Sequence, residues 1–193
     1  MEVNIHTHSP KAEELTLRTT GIHPYDTEDV TPDTLLSIER TAIAVDAIGE
    51  IGLDFACSAD REAQRLAFVA QLDIAQHYGK GVVLHCVRAF EPMMNILKGY
   101  TLPYIIFHGF IGSTEQALRA TNRGYYLSFG ERTFRSPKTI EAMQSIPTDR
   151  LFLETDQSQT PIGEIYDRAA ATLGLPRPIL ESIISENFNR ICG

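Results

Sequence analysis

The strongest constraint on this chain is a series of short apolar segments that do not alternate with polar residues. GVVLHC at 81–86, PYIIFHGF at 103–110, YYLSFG at 125–130 and RLFLETD at 150–156 are each bounded by helical patterns. A strand that is apolar on both faces has to be covered on both, and helices alternating with such strands imply a parallel sheet. VNIHTH at 3–8, LTLRTTGIHP at 15–24 and AIAVDAIGEIGLD at 42–54 extend the series to seven expected strands.

The helices between them carry their own signals. Thr31-Pro32 opens one that runs through Arg40, with proline where its missing N–H costs nothing. Between Ser58 and Tyr78, Ala63, Leu66, Ala67, Ala70 and Ile74 follow helical spacing, and Gly79 can end that helix in the left-handed conformation. FEPMMNILKG reads as another helix, Ser113-Thr114-Glu115-Gln116 is a capping box that starts a helix through Asn122, and Ser136-Pro137 opens the next. Two more are expected around Ile165 to Leu173 and Ile179 to Arg190.

The expected fold class is therefore α/β, a TIM-barrel-like parallel barrel. Such barrels usually take about 250 residues, so a chain of 193 points to an incomplete, seven-stranded version. At 43% hydrophobic, with no linker-like stretch, residues 1–193 are expected to form a single domain. No apolar run reaches the length of a membrane span, and the first residues lack a signal-peptide pattern, so the expectation is a cytoplasmic protein away from membranes. Cys57, Cys86 and Cys192 suit reduced thiols better than a disulfide framework. A net charge of −8 argues against a broad basic surface for long duplexes, and favours short or end-on substrates if nucleic acid is bound.

The polar residues concentrate at one kind of place. His6, His8, His23, His85 and His108 each stand at or just past the C-terminal end of an expected strand, while His77 sits in the last turn of a helix. Glu50 and Asp156 occupy strand ends as well. His6 and His8, two apart on a strand, share one side of it. In a parallel barrel the strand C-termini meet at one face, where active sites lie. His6, His8, Glu50, His85, His108 and Asp156 would then form a ligand set suited to zinc or to a pair of divalent ions. Gly49 and Gly52, flanking Glu50, are open to two readings: strand bends, or space for ions and substrate.

These motifs resemble the TatD family of metal-dependent deoxyribonucleases, within the amidohydrolase-like superfamily. HTH, GIHPY, AIGEIGLDF, VVLHCVRAF, IIFHGFIGS, YYLSFGERTF, IPTDRLFLETD and NFNRIC occur in the family's order along nearly the whole chain. The resemblance implies that His6, His8, Glu50, His85, His108 and Asp156 are metal ligands, with Glu50 bridging two ions (zinc, magnesium or manganese). It also implies that His23 contacts substrate near the scissile phosphate. Three departures stand out. Only residues 9–22 separate His8 from His23, where the family carries a further strand and helix, so one βα unit is expected to be missing after the first strand, its gap bridged, open or covered by a second subunit of a homo-oligomer. A pattern like HSRDA is HCVRA here, and ETDAP is ETDQS.

The resulting expectation is metal-dependent hydrolysis of a phosphodiester in DNA or a similar substrate. Glu50 and Asp156 are the expected catalytic residues, Asp156 passing a proton from water to the leaving group, and His23 and Arg88 steady the phosphate. Ser113 is expected to cap its helix. An amide, ester or lactone hydrolase remains the alternative, since one site architecture hosts several chemistries. A noncatalytic binding module that retains metal is the second alternative.

Overall fold

The computed structural model describes residues 1–193, and in it the pattern becomes eight strands and seven α-helices. The strands are β1 (Glu2–Val3), β2 (Glu14–Leu15), β3 (Thr19–Thr20), β4 (Ala47–Asp54), β5 (Gly81–Val87), β6 (Ile105–Phe107), β7 (Tyr126–Phe129) and β8 (Leu151–Leu153). The helices are α1 (Pro32–Ala42), α2 (Arg61–His77), α3 (Phe90–Leu97), α4 (Thr114–Thr121), α5 (Pro137–Ser145), α6 (Ile162–Leu173) and α7 (Arg177–Cys192). Pairings β1–β2, β3–β4, β4–β5, β5–β6 and β7–β8 are all parallel, as strands buried on both faces require. No helix is long and apolar enough to cross a membrane.

The chain forms two compact units, one of residues 17–107 and one of residues 1–16 with 108–193. The single strand expected at 15–24 is in fact two short ones, separated by Thr16, Leu17 and Arg18. β2 pairs with β1 in the unit that holds the chain's first residues, and β3 pairs with β4 in the other. The segment expected to open the next strand at Ala42 belongs instead to the end of α1 and a turn, where the Ala44 N–H donates to the Thr41 carbonyl.

In the 17–107 unit, β3, β4, β5 and β6 lie in that order, and Ile48, Ile51, Leu53, Val82, Val83 and Leu84 are fully buried. α2 begins at Arg61 rather than Ser58 because the Asp60 carboxylate caps the N–H groups of Glu62 and Ala63. Its core face is rotated from the expected one: Ala67 and Ile74 are buried as expected, but Gln64, Phe68, Gln71, Leu72 and Ala75 are buried with them, whereas Leu66 is 56% exposed. Gly79 does end the helix with φ +61. In the other unit Val3, Ile5, Leu127, Phe129, Phe152, Leu153, Ile165, Leu180 and Ile184 form the core. The buried Tyr166 hydroxyl there donates to the Val3 carbonyl at 3.0 Å.

The glycines around Glu50 serve strand packing. A Cβ on Gly49 would stand 2.7 Å from the Val83 Cβ, and one on Gly52, at φ +144, would stand 2.1 Å from the His85 carbonyl oxygen. Of the two readings open in the sequence, the close approach of β4 to β5 accounts for both. Gly52→Ala is therefore expected to lower stability by about 1–3 kcal/mol, measured as a reduced urea midpoint with an unchanged slope.

Candidate metal centre

A strand that leaves its ladder exposes backbone donors and acceptors, and in a buried setting each needs a partner. Three buried carboxamides supply them, each beside a residue of interest. Gln64 on α2 accepts the Asp54 N–H at 2.8 Å and donates to the Asp54 carbonyl at 2.9 Å, acting as a second strand edge at the end of β4. One helical repeat of two turns later, Gln71 accepts the Ile22 N–H at 2.6 Å and donates to the Ile22 carbonyl at 3.2 Å, which fixes the residue before His23. In the other unit the Asn4 amide accepts the Thr155 N–H and donates to the Thr155 hydroxyl, both at 2.9 Å, next to Asp156.

In the 17–107 unit, His23, Glu50 and His85 converge, their ligand atoms all within 4.8 Å of one another. Glu50 Oε1 lies 2.7 Å from His85 Nδ1 and 3.3 Å from His23 Nε2. The two imidazoles are not equivalent. The Tyr25 backbone N–H donates to His23 Nδ1 at 3.2 Å, which favours the tautomer with the proton on Nε2, and His23 Nε2 also lies 3.3 Å from His85 Nδ1. His85 Nδ1 faces Glu50, and its Nε2 lies 3.0 Å from Asp54 Oδ2. Asp54 is almost wholly buried. Burial would push its carboxyl up, but the His85 hydrogen bond, the Ala56 N–H and Tyr25 outweigh it and hold the group below the usual carboxylate range.

In the other unit, His6, His8 and Asp156 form a second group and His108, Glu154 and Asp156 a third. Asp156 Oδ1 is 3.4 Å from His8 Nε2 and 3.9 Å from His6 Nε2. Backbone bonds lock the register, since the Asp156 N–H donates to the His6 carbonyl and the His8 N–H to the Asp156 carbonyl, both at 3.1 Å. Asp156 adopts φ +53, an uncommon conformation for a residue other than glycine, and one that clusters at functional sites. The His6 and His108 rings lie with centroids 4.3 Å apart. Glu154, only 1% exposed, faces His108 Nδ1 at 3.3 Å through Oε1, and the buried Ser128 hydroxyl also interacts with its carboxylate. Burial would raise the Glu154 carboxyl, but His108 and His6 hold it below its usual range. Imidazole nitrogens and carboxylate oxygens gathered within 4.8 Å of one another in each group are the donor types that divalent metals take, so the donor set fits divalent metal.

The remaining expected residues fall elsewhere. Arg88 stands just past β5, exposed and with φ +52. His77 ends α2 and stacks edge-to-face with Tyr78. Ser113 caps α4 in a reciprocal box with Gln116, as expected. Burial pushes the Cys86 thiol up to about 12, so it remains a neutral packing residue. Sequence reading did not select Asp54 or Glu154, although each is an acid within a motif that also carries a proposed ligand, GEIGLD and LETD.

A parallel α/β chain with imidazole–carboxylate clusters at strand ends has the architecture of a metal-site protein. Residues 3–193 match the family model described as TatD related DNase. YjjV of Escherichia coli K12, described as an uncharacterized metal-dependent hydrolase, is 36% identical over 150 residues, which cover 74% of this chain and 58% of YjjV. The 3'-5' ssDNA/RNA exonuclease TatD of Shigella flexneri is 34% identical over 149 residues, covering 72% of this chain and 56% of that protein. A crystal structure of YjjV superposes with a TM-score of 0.85 at 26% identity, covering 92% of this chain and 76% of that one. The chain belongs to the TatD family. Its match to these curated relatives spans less than two thirds of their length.

The carboxamides make a sharp prediction. Gln71→Leu strips partners from the buried Ile22 N–H and carbonyl and is expected to cost about 1–3 kcal/mol. Leu66→Gln on the outer face of α2 should stay within about 0.5 kcal/mol of the parent. Chemical denaturation of both variants measures the difference.

Proposed function

We propose that this chain is a divalent-metal-dependent hydrolase of phosphodiester bonds, acting on short or end-on DNA. The observation that carries the reading is the grouping of ligand-type imidazoles with carboxylates at strand ends. The naming of relatives as 3'-5' ssDNA/RNA exonucleases supports the substrate class.

In this reading His85 and Glu50 would hold an ion in one cluster, and His6, His8, His108 and Asp156 would hold metal in the other. A bound divalent cation supplies Lewis-acid stabilisation of phosphoryl oxygen and lowers the pKa of water. Asp156 accepts a proton from the attacking water; the new P–O bond forms as the ester P–O bond breaks, and the proton passes to the leaving oxygen. His23, with its proton on Nε2, donates to a phosphoryl oxygen. Arg88, exposed just past β5, adds positive charge to an otherwise acidic protein. The free thiols of all three cysteines suit a reducing, cytoplasmic setting.

The departures HCVRA and ETDQS alter the segments that follow His85 and Asp156, and they favour one second reading, hydrolysis of a small ester, amide or lactone. The two separate on a panel of short single-stranded DNA and small esters and amides, assayed with zinc-, magnesium- or manganese-loaded protein. DNA cleavage is expected, reduced at least about 100-fold by His85→Ala or Asp156→Ala, in the range seen when a general acid–base is removed. Turnover of the small substrates alone would replace this reading with the second.

A further inference from the structure

The expected ligand set leaves Asp54 without a role, yet its buried carboxylate is held on both oxygens. Its Oδ1 accepts the Ala56 N–H at 2.8 Å and the Cys57 N–H at 3.1 Å. Gln64 grips its backbone N–H and carbonyl, and the Phe55 N–H after it pairs with Val87 in the ladder. The side chain is 3% exposed. These bonds leave Oδ2 aimed at one group, His85 Nε2, at 3.0 Å, with the Tyr25 hydroxyl also interacting with the carboxylate.

The other face of the His85 ring sets what that contact must be. Nδ1 stands 2.7 Å from Glu50 Oε1. At 2.7 Å that contact is a hydrogen-bond separation, so with no ion bound a proton lies between the two groups. A cation bound by both groups would replace that proton, and the single proton of a neutral imidazole must then sit on Nε2, where its acceptor is Asp54 Oδ2. From this geometry we infer that Asp54 is a positioning residue: it fixes His85 as the Nε2–H tautomer, so that the Nδ1 lone pair is presented for metal. Carboxylates that take the second N–H of a ligating histidine in this way fix ring orientation and raise ligand basicity. The inference rests on the metal reading of His85 given above and adds a residue to it.

Asp54→Asn tests it with little change of shape. The two backbone donors at Oδ1 require the amide oxygen, which places the amide nitrogen at the Oδ2 position. A donor then faces Nε2–H, and the ligating tautomer is opposed. Zinc affinity of the full chain, measured by chelator competition, is expected to fall 10- to 100-fold, while the thermal midpoint of the metal-free protein is retained. In the zinc-loaded parent, 15N spectra of the imidazoles should show His85 ligated through Nδ1 with its proton on Nε2. On a His85→Ala background, Asp54→Asn should cost nothing further, because its effect passes through that ring.

Zinc affinity within twofold of the parent in Asp54→Asn would overturn the inference, as would an equal additional loss on the His85→Ala background. Parent-like affinity in His85→Ala alone would instead overturn the metal reading beneath it. The three results are distinct.

Discussion

The structure depends on how backbone polar groups are satisfied where strands leave their ladders. Beyond the last paired residue, a buried N–H or carbonyl loses water and gains nothing unless a side chain replaces the missing strand. Gln64, Gln71 and Asn4 do this beside Asp54, His23 and Asp156, each bridging donor and acceptor groups of one residue. Asn187 does related work at the start of β8, where its amide donates to the Thr148 and Leu151 carbonyls. Site residues on such supports are preorganised, because the backbone that carries them cannot relax without exposing unpaired groups.

That rigidity matters because the chemistry concentrates acids and imidazoles where water is scarce. Buried carboxylates are tolerated when paired or bonded to donors, and otherwise they protonate. Asp54 meets this condition through His85 and two backbone N–H groups, and Glu154 through His108 and the Ser128 hydroxyl. The close contact of Glu50 with His85 is one place where a positive centre relieves a cost the fold itself creates.

Much of this was legible from the sequence. Unbroken apolar runs identified the parallel strands, and histidines at their ends identified the candidate ligands, because both signals are local and periodic. The three-residue gap between β2 and β3 was not, since Leu17 and Arg18 continue the pattern of a strand while the chain changes partners. The core face of α2, where Ala67 and Ile74 are buried as expected, was only partly legible for a related reason. Gln64 and Gln71 are polar residues in core positions, so a hydrophobic template skips them and selects Leu66, which faces outward. Asp54 and Glu154 were likewise invisible as functional groups: each looks like an ordinary acid until its partner across the unit is known. Such residues are defined by long-range pairing, and spacing along the chain carries no record of it.

The most direct test of the account is the metal stoichiometry of the reconstituted chain, read by elemental analysis for the parent and for His85→Ala and Asp156→Ala. The account predicts bound divalent metal in the parent, with each substitution removing ions held by its own cluster while the other cluster retains its own. Metal-free parent protein after reconstitution, or metal content unchanged by both substitutions, would contradict it.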